Sequence, residues 1–434
     1  MMNSTNDSKI SISELYYILV ALGYVATLVF TGMRPGVLGA FLMVLVLLEL
    51  FLRGRLRFTC MADAIAVAFF AYQAISVIWL TLGGYPLDVY VNEFVSSTLP
   101  MVFYFVGKSL DSRAGRWYRL YLCAMMILGG LGVIFYIAAP KFYIDWAYAW
   151  SYISKADTST MRVRMHSVVG STCLSFIMVA GMLAGSYFLS EEDAADLPDA
   201  GGVDSPVASG KLGRRNIIFA ISTIVLCLLF AIMANQRSGL VAAALVLVYI
   251  NYLLFFKLNI IPKKYFMYEV IAVAAVFVAI CAIKFEFVLK FWWRIISLPT
   301  AISQRSEQWV AAVNNMYSSW LGNGLGANGH RALGLEDAHV IADGGLVKLY
   351  CENGVLGFSL FVYLIVLSLS KGVRSIRNYY VEVGIIVVGL LQSIGSNMLA
   401  FQICAPVFWL AVGAVNSFQM HHEKRNFTSS FPSA

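Results

Sequence analysis

Four arginines, Arg162, Arg164, Arg237 and Arg305, and a second set made of His330, His339, Asp343 and Glu352 are the residues of this chain whose chemistry is worth following first. A guanidinium is a planar, permanently charged fork that grips two phosphate oxygens at once. A carboxylate or imidazole within reach of a hydroxyl orients it or takes its proton. Residues 322–345, GNGLGANGHRALGLEDAHVIADGG, add Gly324, Gly326 and Gly329 in the order G-x-G-x-x-G. That spacing is a dinucleotide fingerprint only where a buried strand enters the first glycine and a helix opens after the last. Lys348 and Glu352 stand four apart, so on one helix they share a face and can pair.

The elements that must position these groups are set by composition. Hydrophobic residues make up 60% and charged residues 13% of 434 positions, with mean hydropathy +0.75, far from the balance of a soluble domain. Crossing a hydrocarbon core of about 30 Å takes roughly 20 helical residues, and runs of that kind recur near 14–32, 35–52, 62–82, 90–108, 117–138, 166–189, 216–235, 238–256, 265–285, 345–370, 379–395 and 399–417. The expected fold is therefore all-α: a polytopic integral membrane protein of about twelve transmembrane helices forming one transmembrane domain over 1–434, with no soluble domain.

Basic residues in short loops stay on the cytoplasmic side. With the N terminus inside, the inner segments hold Lys9; Arg53, Arg55, Arg57; Lys108, Arg113, Arg116, Arg119; Lys211, Arg214, Arg215; Lys257, Lys263, Lys264; Lys371, Arg374, Arg377; and Lys424, Arg425, whereas the short outer connections carry only Arg34 and Arg237. Both termini are expected in the cytoplasm. Met1 to Ser13 is polar and no A-x-A-like exit follows the first apolar run, so that run is expected to remain as an anchor. Residues 190–215 read as a flexible cytoplasmic linker, acidic and rich in Gly, Pro and Ser. The seven cysteines are scattered singly without C-x-x-C spacing, which argues against a disulfide framework or zinc site.

Two outer loops are long, 139–165 and 286–344, and the second holds the glycines. It lies across the membrane from cytoplasmic nucleotides and its glycines follow a helix, so the fingerprint reads as a set of tight turns at which positive φ leads the backbone back toward the bilayer. In SQRSEQWVAAVNNMYSSWL, residues 303–321, Trp309, Val313, Met316 and Trp320 fall on one face of a short amphipathic helix. Outer cations oppose the usual bias. Arg162 and Arg164 precede the sixth span, Arg237 occupies the turn between the seventh and eighth, and Arg305 opens the amphipathic helix. With His330, Glu336, Asp337, His339 and Asp343 they form a polar set suited to a phosphorylated headgroup, while each arginine alone also reads as an interfacial anchor. Trp292 and Trp293 read as interfacial anchors or as surfaces on which a sugar stacks.

Three stretches, NQRSGL at 235–240, RSEQW with LGNGLGANGH at 305–330, and DGGLVKLYCENGVLGF at 343–358, resemble the O-antigen polymerase and ligase superfamily, the Wzy and WaaL type of polytopic glycosyltransferase. The twelve spans, cytoplasmic ends and large outer loop before the tenth span are similar as well. Ligases typically carry a histidine and then Asn, Ser or Gln ahead of the G-x-x-G formed here by Gly354 and Gly357. Counting back, those places fall on Asp343 and Gly344, so the polymerase branch is resembled better and the ligase branch is the alternative, with His339 its counterpart in a shifted register. The resemblance implies transfer of a growing glycan from undecaprenyl diphosphate onto a hydroxyl of the next lipid-linked repeat unit, for O antigen, capsule or exopolysaccharide, at the periplasmic face of a bacterial inner membrane. It implies membrane lipids, a chain-length regulator and a flippase as partners, and neither nucleic acid nor a cofactor. Arg237 and Arg305 would hold the diphosphate, assisted by Arg162 and Arg164; Asp343, His339, His330 or Glu352 would serve the acceptor. No metal is expected, since no outward D-x-D pair is present. A twelve-helix transporter or flippase is the competing class, weakened because no repeat pairs the two halves of the sequence.

Overall fold

A computed structural model describes residues 10–30, 35–110, 113–150, 164–189, 214–257, 262–268, 298–335 and 338–417, with residues 270, 271, 275, 278, 289, 293 and 296 at single positions. It is all-helical among these. In chain order the helices are α1 (Ile12–Ala26), α2 (Pro35–Leu52), α3 (Met61–Leu82), α4 (Leu87–Lys108), α5 (Ala114–Ala138), α6 (Lys141–Ala149), α7 (Ser171–Tyr187), α8 (Arg214–Ala234), α9 (Arg237–Lys257), α10 (Leu298–Asn314), α11 (Gly345–Arg374), α12 (Ile376–Gly395) and α13 (Ala405–Val415). Among the described residues, eight helices are long and apolar enough to cross a membrane, and α1, α7 and α13 are shorter apolar ones. These eleven fall on eleven of the twelve expected spans. The remaining one, 265–285, lies largely outside the described residues, as do most of the linker at 190–215 and Arg162, Trp292, Glu336 and Asp337.

The two short helices α7 and α13 form the centre. Every residue of α13 and all but a few of α7 are buried, which is what a helix apolar on all sides requires when other helices replace lipid around it. Small residues allow the close approach: a Cβ at Gly107 of α4 would overlap the Leu410 carbonyl of α13, and one at Gly413 the Tyr104 carbonyl. Around this pair, α7 packs on α8, α9 and α12, α11 packs on α3 and α12, and α1 packs on α2 and α5.

One end of the bundle gathers Glu14 with Arg116 at 3.0 Å, Asp63 with Lys108, and Lys371 on the Ser417 carbonyl. At the opposite end, the described part of the loop after α10 packs on the Leu80 and Val89 backbone and is held by Asn397 through the Ile341 carbonyl. Several expected boundaries shift. The first span stops at Ala26 rather than 32. The sixth starts at Ser171 rather than 166 and the last at Ala405 rather than 399, because His166–Gly170 and Phe401–Cys404 enter the bundle as non-helical, largely buried chain. The 139–165 loop contains α6, whose Tyr143 stacks between Phe135 of α5 and Trp146.

The amphipathic helix expected over 303–321 is α10, and it ends at Asn314. Beyond it the Tyr317 amide donates to Asn323 Oδ1 at 2.6 Å, a partner no continuing helix could offer. Trp309 and Met316 pack on Ala312, Ile341 and Cys351, while Val313 and Trp320 are exposed, so the expected four-residue face is only half realised.

Candidate functional site

Helix α11 is broken nine residues after it starts: Gly354 has φ 58° and ψ −169°, a conformation open essentially to glycine alone. A break inside an apolar bundle frees backbone groups that must find partners, and the loop before α11 supplies them. The amides of Asn323 and Gly324 donate to the carbonyls of Cys351 and Glu352 at 2.8 and 3.0 Å, and the amides of Val355 and Leu356 donate to those of Ser319 and Trp320 at 2.9 and 3.1 Å. From this clamp the chain turns through Gly324 (φ 88°) and Gly326 (φ 94°), where a Cβ would meet the Leu80 backbone and the Val89 carbonyl. Gly329 departs from the expected pattern, with φ −88°. Its side toward Glu93 and Lys348 leaves a Cβ 3.1 and 3.3 Å from their polar atoms, so close approach rather than backbone handedness marks this position.

Buried amides carry the loop onward. Asn323 Nδ2 donates to Asn328 Oδ1 at 3.0 Å, Asn328 Nδ2 to the His339 carbonyl at 2.8 Å, and Asn397 Nδ2 to the Ile341 carbonyl at 2.8 Å. Residues 339–343 are thereby held against the end of α12. Trp309 of α10 adds a bond from Nε1 to the Asp343 carbonyl at 2.7 Å.

Asp343 carries the first cluster. Its carboxylate meets Arg305 at 2.7 Å, and both side chains are well exposed, at 41% and 36%. A pair so placed contributes at most about 1 kcal/mol to stability, so its consequence is geometric. Arg305 also points Nη1 at the Gly395 carbonyl at 3.5 Å, and a Cβ on Gly395 would touch both Arg305 and Ser238, the neighbour of Arg237. Arg237 opens α9 after Asn235 (φ 50°), and Gln236 pins that turn through Ser171 and Thr172. Arg164 completes the group: burial first, then the charge of Arg237, hold its guanidinium below the usual value, against the pull of Asp343. Arg305 and Arg164 are thus within electrostatic reach of Asp343, and Arg237 is within reach of Arg164.

A second cluster lies beneath. Lys348 bonds Glu93 of α4 at 2.5 Å and stands 3.6 Å from Glu352. The pairing expected from the i,i+4 spacing is present but is the longer of the two. Glu93 immediately precedes a π-helical turn, Phe94–Thr98, which Pro100 helps to force by removing a backbone donor. His330 links the clusters. Partial desolvation, then Lys348, push its imidazole below the usual value while Asp343 and Glu93 pull the other way. His339 is half-buried and supplies its carbonyl to the loop.

No protein-family model matches the chain, and no curated protein matches it.

Among the described residues no group of three His, Cys, Asp or Glu side chains is arranged to hold a metal ion. The arrangement brings guanidiniums to Asp343 and, within electrostatic reach of the same carboxylate, the His330 imidazole, whose basicity is lowered. Sequence reasoning missed Glu93, Asn323, Asn328 and Asn397, and also His166, whose imidazole burial pushes down to about 4, with the Arg164 charge adding to the effect. Glu93 carried a usable signal, an acid inside an apolar run. The asparagines carried none, since their role is to bond backbone distant in sequence.

Proposed function

We propose that the chain is a membrane glycosyltransferase that polymerises lipid-linked oligosaccharide repeat units at the periplasmic face of the bacterial inner membrane, with both termini in the cytoplasm. The observation that supports this reading is the grouping of Arg305 and Arg164 with Asp343, and of Arg237 with Arg164, at one end of a helical bundle. A diphosphate is already a good leaving group, so the protein's task is to neutralise the charge that develops on it and to align the acceptor. In this reading the three guanidiniums hold the diphosphate of the undecaprenyl-linked donor, and Asp343 fixes the aim of Arg305. An acceptor hydroxyl oxygen attacks the anomeric carbon, the bond from that carbon to the diphosphate oxygen breaks, and the lipid diphosphate departs with the electron pair. The hydroxyl proton passes to His330, which suits the role because its lowered basicity keeps it unprotonated at neutral pH. Asp343, engaged with Arg305, is the weaker acceptor.

Reconstitution in vesicles with a purified undecaprenyl-diphosphate repeat unit tests this: the product is a ladder of lengthened lipid-linked glycans. Arg237→Lys keeps the charge and loses the fork, and on the scale of removing one preformed anion donor it lowers the polymerisation rate about a hundredfold. Full-length polymer from Arg237→Ala would refute the role of this residue. In a deletion strain, a single repeat unit left on its core marks a lost polymerase. Absence of surface glycan with lipid-linked polymer accumulating marks a ligase, and cytoplasmic accumulation of lipid-linked units marks a flippase.

A further inference from the structure

Between α3, α4, α11 and α13 lies a cavity of about 30 Å³, bordered by Gln73, Glu93, Lys348, Glu352, Asn397 and Trp409 among others. Three polar atoms on residues of its lining have no hydrogen-bond partner in the protein: Glu352 Oε1, Asn397 Oδ1 and Trp409 Nε1. Their residues are only 2%, 4% and 2% exposed. An unsatisfied buried polar atom costs about 1–3 kcal/mol, and here three of them belong to residues that line one space. Nζ of Lys348, another lining residue, stands 3.6 Å from Glu352 Oε1, too far for a direct hydrogen bond.

We propose that this cavity is an internal water site, occupied by one or two water molecules that donate to Glu352 Oε1 and Asn397 Oδ1 and accept from Trp409 Nε1 and Lys348 Nζ. The size fits, since one water needs roughly 10–15 Å³ of such space. The chemistry selects water over the alternatives. Two orphaned acceptors call for a ligand with two donors, which a single substrate hydroxyl lacks. The Trp409 N–H and the Lys348 ammonium call for an acceptor, which a metal cation lacks. A sugar is far too large. The other amide atoms of Asn397 hold the Ile341 and Ala342 carbonyls, so the water joins the buried Glu93–Lys348–Glu352 group to the backbone leading into Asp343. It forms part of the floor on which the arginine cluster stands, and it does so whatever reaction the cluster serves.

X-ray radiolysis in H2(18)O tests the site on the full chain in lipid nanodiscs, because hydroxyl radicals formed from bound water oxidise side chains that bulk radicals do not reach. Trp409 and Phe361, which both line the cavity, acquire the heavy oxygen label. Trp117 and Phe176, equally buried, do not; the Trp117 N–H is bonded to the Ser13 carbonyl. Asn397→Leu abolishes labelling at Trp409 and Phe361. The proposal is overturned if wild-type Trp409 is labelled no faster than Trp117, a comparison needing no variant, or if labelling persists in Asn397→Leu.

Discussion

Replacing Gly354 by alanine tests the clamp between the broken helix and the glycine loop. At φ 58°, ψ −169° an L residue bears a strain of about 1–3 kcal/mol, and here the new methyl would overlap the Trp320 carbonyl and the Gly322 amide nitrogen, both backbone atoms that cannot swing aside. The chain escapes by closing the helix across residue 354, and the loop then loses its four backbone bonds to Cys351, Glu352, Val355 and Leu356. At about 1 kcal/mol net for each, less the one or two bonds that a continuous helix regains, that loss opposes release by about 2–3 kcal/mol, and the substitution shifts the balance toward the released form by the strain it adds to the clamped one, about 1–3 kcal/mol. Cys351 reports the event locally, being buried beneath the loop. Since each 1.4 kcal/mol is a factor of ten, its reaction with a thiol-directed reagent accelerates about five- to a hundredfold, while buried Cys173, within α7, stays unchanged. A Gly354→Ala protein that keeps Cys351 protected would refute the reasoning, because the glycine would then be dispensable for the break.

Two further expectations concern charge. Lys348→Met leaves Glu93 and Glu352 facing each other without the ammonium both now approach; removing one partner of a buried pair costs about 3–5 kcal/mol, and Glu93→Met in the same chain restores part of it, as read by unfolding in mixed micelles. A loss below about 1 kcal/mol would mean that the group is hydrated from the bulk. His166, in the chain before α7, is held down to about 4 from 6.5, so the folded protein keeps it neutral while the unfolded chain protonates it. Stability is therefore complete above pH 6.5 and falls by about 3 kcal/mol, at 1.36 kcal/mol for each unit, as the pH drops from 6.5 toward 4; His166→Gln flattens that slope.

The membrane-spanning helices were legible because crossing lipid is a matter of length and apolar content, which a sequence states directly. Their ends were not. The apolar runs continue through Val29 and Phe30, which are exposed beyond α1, and through Phe401–Cys404, which enter the bundle without helical form. Arg237 and Arg305 could be picked out by their opposition to the usual charge bias and Asp343 by type, whereas their grouping depends on the starts of α9 and α11 and the end of α12 lying beside the middle of α10. Lys348 shows the limit most plainly. Helical spacing offered Glu352 as its partner, and the shorter contact is to Glu93, 255 positions away, a pairing no local pattern contains.

The clamp also explains why the motifs of this region are short. Its four hydrogen bonds run from backbone to backbone, so the side chains at Ser319, Trp320, Asn323, Cys351, Glu352, Val355 and Leu356 are not what makes them. What the geometry demands of the sequence is the absence of a Cβ at Gly322, Gly324, Gly326 and Gly354, where one would collide with the facing main chain. The first two glycines of the G-x-G-x-x-G thus follow from packing the loop against the Leu80 and Val89 backbone, and the third from its close approach to Glu93 and Lys348. Phosphate cradling by that loop is unavailable, because the amides of Asn323 and Gly324 are already spent on carbonyls of α11. The proposed function therefore assigns the anion to the guanidiniums, and the loop's contribution is to hold Asp343 where Arg305 can reach it.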